Sequence, residues 1–358
     1  MKNKIIINVV GKRAIFFALL AALLYGFSAP FSKLLLQELS PYYMAAFLYL
    51  GAGAGMLLLQ ISKRKQTYYQ KEAAVTKNEL PYIIGMVILD IAAPIFFMIG
   101  ISQSGAATAA LLNNFEIVAT TMLALLLFHE AIGRQMWLSI LLILLSTIIL
   151  TFDITSIVVF NPGTVFLILG CICWGFENNC TRMISLKDPM QIVIIKGFGS
   201  GFGSLLIAFF ISETIHHPSA IFMALLLGFF SYGLSIYFYI KAQRILGAAR
   251  TSAYYAAAPF IGVFLSFALL REELSFRFFP ALILMIVGTY LSLLEVHKHQ
   301  HLHPEEVHEH RHSHEDGHHM HEHELDNEGV HSHIHTHAEL KHTHEHMPDI
   351  HHHHSHKV

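Results

Sequence analysis

Charge is what this sequence has least of. Only 13% of its 358 residues are Asp, Glu, Lys or Arg, against roughly 25% in a soluble domain. Apolar residues make up 54% and mean hydropathy is +0.51. That shortage excludes a soluble enzyme, a secreted domain and a basic nucleic-acid binder. Cysteine is nearly as scarce: Cys171, Cys173 and Cys180 sit in one apolar segment. Three thiols so placed make no disulfide framework and read as small packing residues of a helix. The motifs HExxH and GxSxG, a Walker loop and a nucleotide-binding domain are all missing, so the sequence reads as a non-enzyme, with no direct use of ATP.

What is present is long apolar runs. A helix needs about 20 apolar residues to cross a bilayer. Ten runs qualify: 14–36, 42–61, 81–101, 105–128, 135–152, 163–184, 190–212, 220–241, 247–270 and 278–295. A barrel would alternate in shorter segments. The first run, after Lys12 and Arg13, is too long for a typical signal-peptide core and reads as the first span. Basic residues set the orientation. Fifteen fall in links on one side, including Lys12, Arg13, Lys63, Arg64, Lys65 and Arg134, and only Arg271 and Arg277 on the other. Both termini are therefore expected on the cytoplasmic side of the cytoplasmic membrane.

The halves of this membrane part resemble each other. Tyr25-Gly26-Phe27 corresponds to Trp174-Gly175-Phe176, with a base seven residues after each glycine, Lys33 and Arg182. Gly51, Gly53 and Gly55 correspond to Gly199, Gly201 and Gly203. Gly105-Ala106-Ala107 corresponds to Gly247-Ala248-Ala249, and the ends Glu130 and Glu272 also match. Each copy holds five spans, so the second enters the membrane inverted. Inverted repeats are a construction of secondary transporters, with the substrate site near the midplane. The expected fold is an all-α membrane protein of ten helices in two inverted five-helix repeats. Its parts are an N-terminus at 1–13, repeats at 14–152 and 153–295, and a tail at 296–358.

The paired segments SGAATAALLNNFEIVATTMLALLLFHE and GAARTSAYYAAAPFIGVFLSFALLREE resemble the EamA family of the drug/metabolite transporter superfamily, over about residues 11–295. The resemblance implies a central cavity lined mainly by spans 1, 3, 4, 6, 8 and 9. It also implies alternating access, often for export, of amino acids, nucleotide-related metabolites, sugars or drugs.

An ionisable residue inside a bilayer is costly and marks a functional candidate. Asp90 lies mid-span with Pro94 one turn on. Glu116 stands beside Asn113 and Asn114, and Asn113 and Glu116, three apart, share a helix face. Glu177 is followed by Asn178 and Asn179. Each reads either as substrate recognition or proton coupling, or as an interhelical hydrogen bond that fixes packing. Lys33 and Lys196, near span ends, read as snorkelling bases or as site residues in the case of Lys33. Tyr25, Trp174, Tyr232, Tyr254 and Tyr255 offer rings to an amphipathic or cationic solute, or simply fill the core. The spaced glycines allow close helix contact, and Pro30, Pro94 and Pro259 mark kinks.

The tail differs from everything before it. It holds 24 of the 27 histidines and, with histidine neutral, carries −8 against +6 for the rest. The candidate ligands are His297, His299, His301 and His303, then His308, His310, His312 and His314. His318, His319, His321 and His323 follow, then His331, His333, His335 and His337, then His342, His344 and His346. His351, His352, His353, His354 and His356 close the series. So few apolar residues cannot bury a core, and the tail is expected to be disordered when metal-free. Neutral imidazole suits Zn, Ni, Co and Cu. Three roles stay open: a chelator or sensor serving transport of Zn, Ni or Co, a metal-dependent regulator of a metabolite transporter, and a pH sensor. The expected partners are the lipid bilayer, a small-molecule substrate and a divalent transition metal, with a homodimer left open. Nucleic acid and a cofactor for transport are not expected.

Overall fold

The computed structural model describes the backbone of residues 2–64, 75–128, 133–153, 159–184, 187–211, 217–272 and 275–293, and of four tail segments. The membrane part is built of helices. In chain order they are α1 (Lys2–Gly26), α2 (Ser28–Leu35), α3 (Pro41–Arg64), α4 (Leu80–Gln103), α5 (Ala106–Leu112), α6 (Phe115–Phe128) and α7 (Arg134–Thr151). After a short hairpin of β1 (Phe152–Asp153) and β2 (Val159–Phe160) come α8 (Pro162–Ile184), α9 (Pro189–Phe210), α10 (Pro218–Gly228), α11 (Ser235–Tyr255), α12 (Ala258–Leu270) and α13 (Phe278–Leu293). Among the described residues, five helical stretches are long and apolar enough to cross a membrane: Lys12–Leu35, Pro41–Ser62, Lys77–Gln103, Pro189–Phe210 and Pro218–Ala242. Arg134–Leu150, Ala258–Leu270 and Phe278–Ser292 are apolar but shorter.

Several runs that read as continuous helices are interrupted. α1 gives way to α2 at Phe27, three residues before Pro30, which has no N–H to continue the ladder. α5 and α6 are separated at Asn113 and Asn114. There the backbone tightens to i→i+3 bonds and the Asn114 amide donates to the Leu111 carbonyl at 3.2 Å. An asparagine that bonds its own backbone competes with the helix. α11 and α12 part just before Pro259. Between α10 and α11 the chain takes a π turn over Phe229–Leu234. Pro94 sits inside α4 without ending it.

Close packing explains the spaced glycines. α3 crosses α9 so tightly that a Cβ on Gly53 would lie 2.9 Å from the Phe198 nitrogen, and one on Gly197 would strike the backbone of Gly53. Small residues let helix backbones approach where lipid supplies no hydrophobic drive. Serines bridge helices elsewhere: Ser139 and Ser146 of α7 donate to the Gly288 and Ala281 carbonyls of α13 at 2.7 and 2.8 Å. The outer surface carries exposed apolar side chains such as Leu58, Phe210 and Phe264, as a lipid-facing surface requires.

The tail segments depart from the expectation of disorder. Their backbone forms two antiparallel pairs, His297–His303 with Leu340–His346 and Glu306–His312 with His331–His337. The physical reason is the period. Histidine at every second residue matches the two-residue repeat of a strand. The side chains of the tail lie outside the described residues, as do the whole of 313–330 and 347–358.

Candidate functional site

The interior of the bundle holds a connected polar cluster. Asp90 of α4 is fully buried, Glu177 of α8 is 1% exposed and Lys196 of α9 is 7% exposed. The Lys196 ammonium stands 3.2 Å from the Asp90 carboxylate and 2.9 Å from that of Glu177. Snorkelling, the sequence reading for Lys196, is thereby overturned: its ammonium turns inward, between two carboxylates that lower the cost of burying it. The Tyr49 hydroxyl donates to Asp90 at 2.8 Å, and the Trp174 indole donates to Tyr49 at 3.4 Å. Thr181 donates to Glu177. Every carboxylate in this cluster meets a donor, as burial demands.

Glu116, at the first turn of α6, lies beside this triad and is only partly buried. Its partner is the Asn178 amide, which donates at 2.5 Å and also reaches Thr120 at 3.4 Å. Asn179 serves its own helix, donating to the Gly175 carbonyl at 2.8 Å. The run Glu177-Asn178-Asn179 thus divides its labour among the triad, Glu116 and packing.

A wall of rings joins the cluster to a small pocket. Tyr232, in the π turn, lies 5.4 Å from Tyr49, and Tyr25 lies 5.8 Å from both Tyr232 and Tyr255. Hydroxyls are anchored: Ser28 and Tyr232 at 3.0 Å, Ser235 and Tyr255 at 3.4 Å, and Tyr25 to the Asn113 amide oxygen at 3.5 Å. Phe97 packs on Trp174 with centroids 4.9 Å apart. The pocket itself, of about 20 Å³, is lined by Tyr25, Gly26, Ser28, Asn113, Ala258 and Pro259 among others. That volume takes about one water. All three helix breaks meet at this place.

Of the residues singled out in the sequence, Tyr25, Asp90, Asn113, Glu116, Trp174, Glu177, Asn178, Tyr232 and Tyr255 come together here. Lys33 does not. Its ammonium donates to the carbonyls of Ile101, Ser102 and Ser104 at 2.7, 3.1 and 2.6 Å, closing the C-terminus of α4. Next to it, Glu272 accepts the backbone N–H groups of Ala106 and Ala107 at 2.7 and 2.9 Å. Both positions agree with the preferences of helix termini for a cation at the C-end and an anion at the N-end. Glu130, its counterpart in the first repeat, lies outside the described residues. Sequence reasoning passed over Tyr49, which reads as one more aromatic in an apolar run. It also missed that Lys196 faces inward. Among the described residues no set of three His, Cys, Asp or Glu side chains converges to hold a metal ion.

Known proteins agree with this architecture. The chain is 24% identical over 285 residues to an uncharacterized transporter of Methanothermobacter thermautotrophicus, covering 76% of this chain and 83% of that one. It is 21% identical over 270 residues to the uncharacterized transporter YyaM of Bacillus subtilis, covering 72% and 83%. A protein of known crystal structure, 14% identical, shares the fold with a TM-score of 0.57, over 79% of this chain and 97% of its own. The model of the EamA-like transporter family matches two consecutive stretches, residues 12–152 and 161–294. With nearly the whole membrane part matched, this multi-pass membrane protein belongs to the EamA-like transporter family.

Proposed function

We propose that this chain is a secondary transporter that exports a small polar or amphipathic metabolite by alternating access. On this reading it forms ten spans in two inverted halves, and both termini are cytoplasmic. One observation carries the reading: three interrupted helices meet at one pocket, and a π turn stands behind its wall, with the Tyr232 hydroxyl 3.0 Å from that of Ser28. Away from lipid, broken spans are tolerated where they are buried in protein or line a cavity, and in transporters they mark the solute site. Helices that merely pack have no need of them. The pocket holds no more than a water as it stands, so the breaks must open before a solute enters. Lys33 and Glu272 hold the α4–α5 turn shut at one end of the bundle, which on the expected orientation is the non-cytoplasmic mouth.

The tail adds a metal-binding role in this proposal. In the backbone register His308 faces His335, His310 faces His333 and His312 faces His331. Directly opposed residues have Cβ atoms about 5 Å apart, a spacing at which two imidazoles share an ion. A transporter of Zn, Ni or Co itself is the second reading, and the tail is what favours it. The Lys196 ammonium between two core carboxylates speaks for a metabolite in the membrane part.

The test is flux. The full chain and a 1–296 truncation are reconstituted in liposomes, some holding a metal-sensitive dye and others loaded for uptake of labelled amino acids and amines. Saturable uptake of a metabolite by both forms supports the proposal. Zn, Co or Ni flux that falls on truncation establishes the metal reading. Neither flux, together with labelling of an introduced Ala110→Cys from one side only, overturns both.

A further inference from the structure

The tail strands are β3 (His297–His303), β4 (Glu306–His312), β5 (His331–His337) and β6 (Leu340–His346). β3 pairs with β6 and β4 with β5, both antiparallel. One register runs through both pairs: His303 opposes Leu340, and three residues further along each arm Glu306 opposes His337. β3 and β4 are thus a near arm, and β5 and β6 a far arm that runs back along it. In β3·β6 the opposed pairs include His297 with His346, His299 with His344 and His301 with His342. Alternate residues of a strand share a face, so these six make two rows on one face of the ribbon. β4·β5 repeats the pattern with three more opposed histidine pairs.

No apolar residue of these strands opposes another. Leu302, Val307, Ile334 and Leu340 stand across from Lys341, Thr336, Glu309 and His303. A two-stranded ribbon is marginal in water at best and needs a hydrophobic face or a further layer to persist. The one opposite-charge pair, Lys298 with Glu345, adds little. What the arms offer each other is imidazole. Opposed residues have Cβ atoms about 5 Å apart, and alternate residues of one strand lie about 7 Å apart. Three imidazoles so placed reach one ion from one side, and zinc accepts three histidines with its fourth position left to water. Each ion also brings two positive charges to a tail of −8.

We infer that metal folds the tail back on itself: each zinc ion is held by two alternate histidines of one arm and an opposed histidine of the other, as by His297, His299 and His346. The ions return residue 346 to a place across from His297, four residues after α13 ends at Leu293. This rests on the metal-binding reading of the tail and goes beyond it, since alternate histidines within one arm would chelate without any folding. The metal state of the tail then decides whether its far arm hangs free or lies at the end of α13.

Trypsin reads this fold on native residues. Lys298 and Lys341 lie in opposite arms of the first ribbon, Arg311 lies in the second, and Lys65 lies in the link between α3 and α4. The full chain in lipid nanodiscs is digested with and without zinc, and the cuts are followed by mass spectrometry. Zinc binding is measured on the same sample by calorimetry. Relative to Lys65, zinc is expected to slow cutting after Lys298, Arg311 and Lys341 at least tenfold. His297→Ser, His299→Ser, His301→Ser and His303→Ser together are expected to restore cutting after Lys341, in the other arm. These four changes lie outside the membrane part and leave its folding alone. Cutting that zinc does not alter, while calorimetry shows binding, would overturn the fold-back and leave the metal-binding tail standing. Protection of Lys341 that survives the four changes, or that grows with chain concentration, would overturn it as well, because the ligands then come from one arm or from a second copy. No zinc binding at all removes both readings.

Discussion

The Glu272 carboxylate accepts the backbone N–H of Ala106 at 2.7 Å, joining residues 166 positions apart in the chain. Its second oxygen takes the N–H of Ala107. An anion on a helix N-terminus stabilises it and also binds the turn after α12 to the start of α5. Glu272→Ala should therefore cost about 1–2 kcal/mol of stability. It should also loosen that mouth of the bundle. In a cysteine-free background, Ala110→Cys should react faster with a membrane-impermeant thiol reagent added on the Glu272 side when Glu272 is replaced. An unchanged rate would show that this contact does not hold the mouth.

Lys196→Met removes the one ammonium from a site with two buried carboxylates. Breaking a buried ion pair from one side typically costs about 3–5 kcal/mol, so the variant should melt well below the native protein. Adding Asp90→Asn and Glu177→Gln to it should recover much of the loss, because the remaining groups are then neutral. Melting in detergent or nanodiscs reads this directly. If the triple variant melts no higher than the single one, the charge balance is not what stabilises the cluster.

Gly197→Leu should prevent α3 and α9 from meeting. Its Cβ would strike the backbone of Gly53, which cannot rotate away as a side chain can. Overpacking commonly costs 1–3 kcal/mol or more, and ~3 kcal/mol is expected here because the obstacle is main chain. Gly199→Ala serves as the comparison, since its Cβ meets only the Val87 side chain. Expression and melting of the two variants should differ in that order.

Metal binding by the tail should depend on pH in one direction. A free imidazole titrates near 6.5, and the protonated ring binds no metal. Calorimetric titration of the full chain with Zn or Ni should show strong binding at about pH 7.5 and a large loss by about pH 5.5. The 1–296 truncation should show little at either pH. Retention of binding by the truncation would move the metal site into the membrane part.

The sequence made the membrane part legible through composition and run length. The candidate site was legible through cost: Asp90, Glu116 and Glu177 stand out because a carboxylate in an apolar run needs a reason. What it hid were matters of direction and neighbours. Lys196 looks like a snorkelling base because helical position says nothing of which way a long flexible side chain turns. Tyr49 carries no mark that separates it from a lipid-facing tyrosine until α4 is packed against α3. Lys33 reads as a snorkelling base or a site residue, yet the carbonyls of Ile101, Ser102 and Ser104 at the end of α4 surround it, and helix ends are not visible in an apolar run. The breaks at Phe27 and Ala257 were foreshadowed by Pro30 and Pro259. The break at Asn113 was not, since its cause is an amide folding back on its own turn. In the tail, polarity argued for disorder; the alternation of histidine, which matches a strand's two-residue period, was not read that way, and the described backbone pairs as strands.

Three interruptions that line one pocket also have a mechanical meaning. Gly26, Asn113 and Ala258 lie at one level of the bundle, so α2, α5 and α12 are short levers joined there to longer rods. α2 and α12 both pack on α5, and at Gly262 the backbones come so close that a Cβ would lie 3.0 Å from Ala110 and 3.3 Å from the Gly26 carbonyl oxygen. A lever of two or three turns needs only a small rotation at its pivot to swing its far tip by several ångströms. On the proposed transporter reading, one end of the protein changes shape while the packed glycine crossing of α3 and α9 stays still, and the work of opening falls on three joints instead of on the whole bundle.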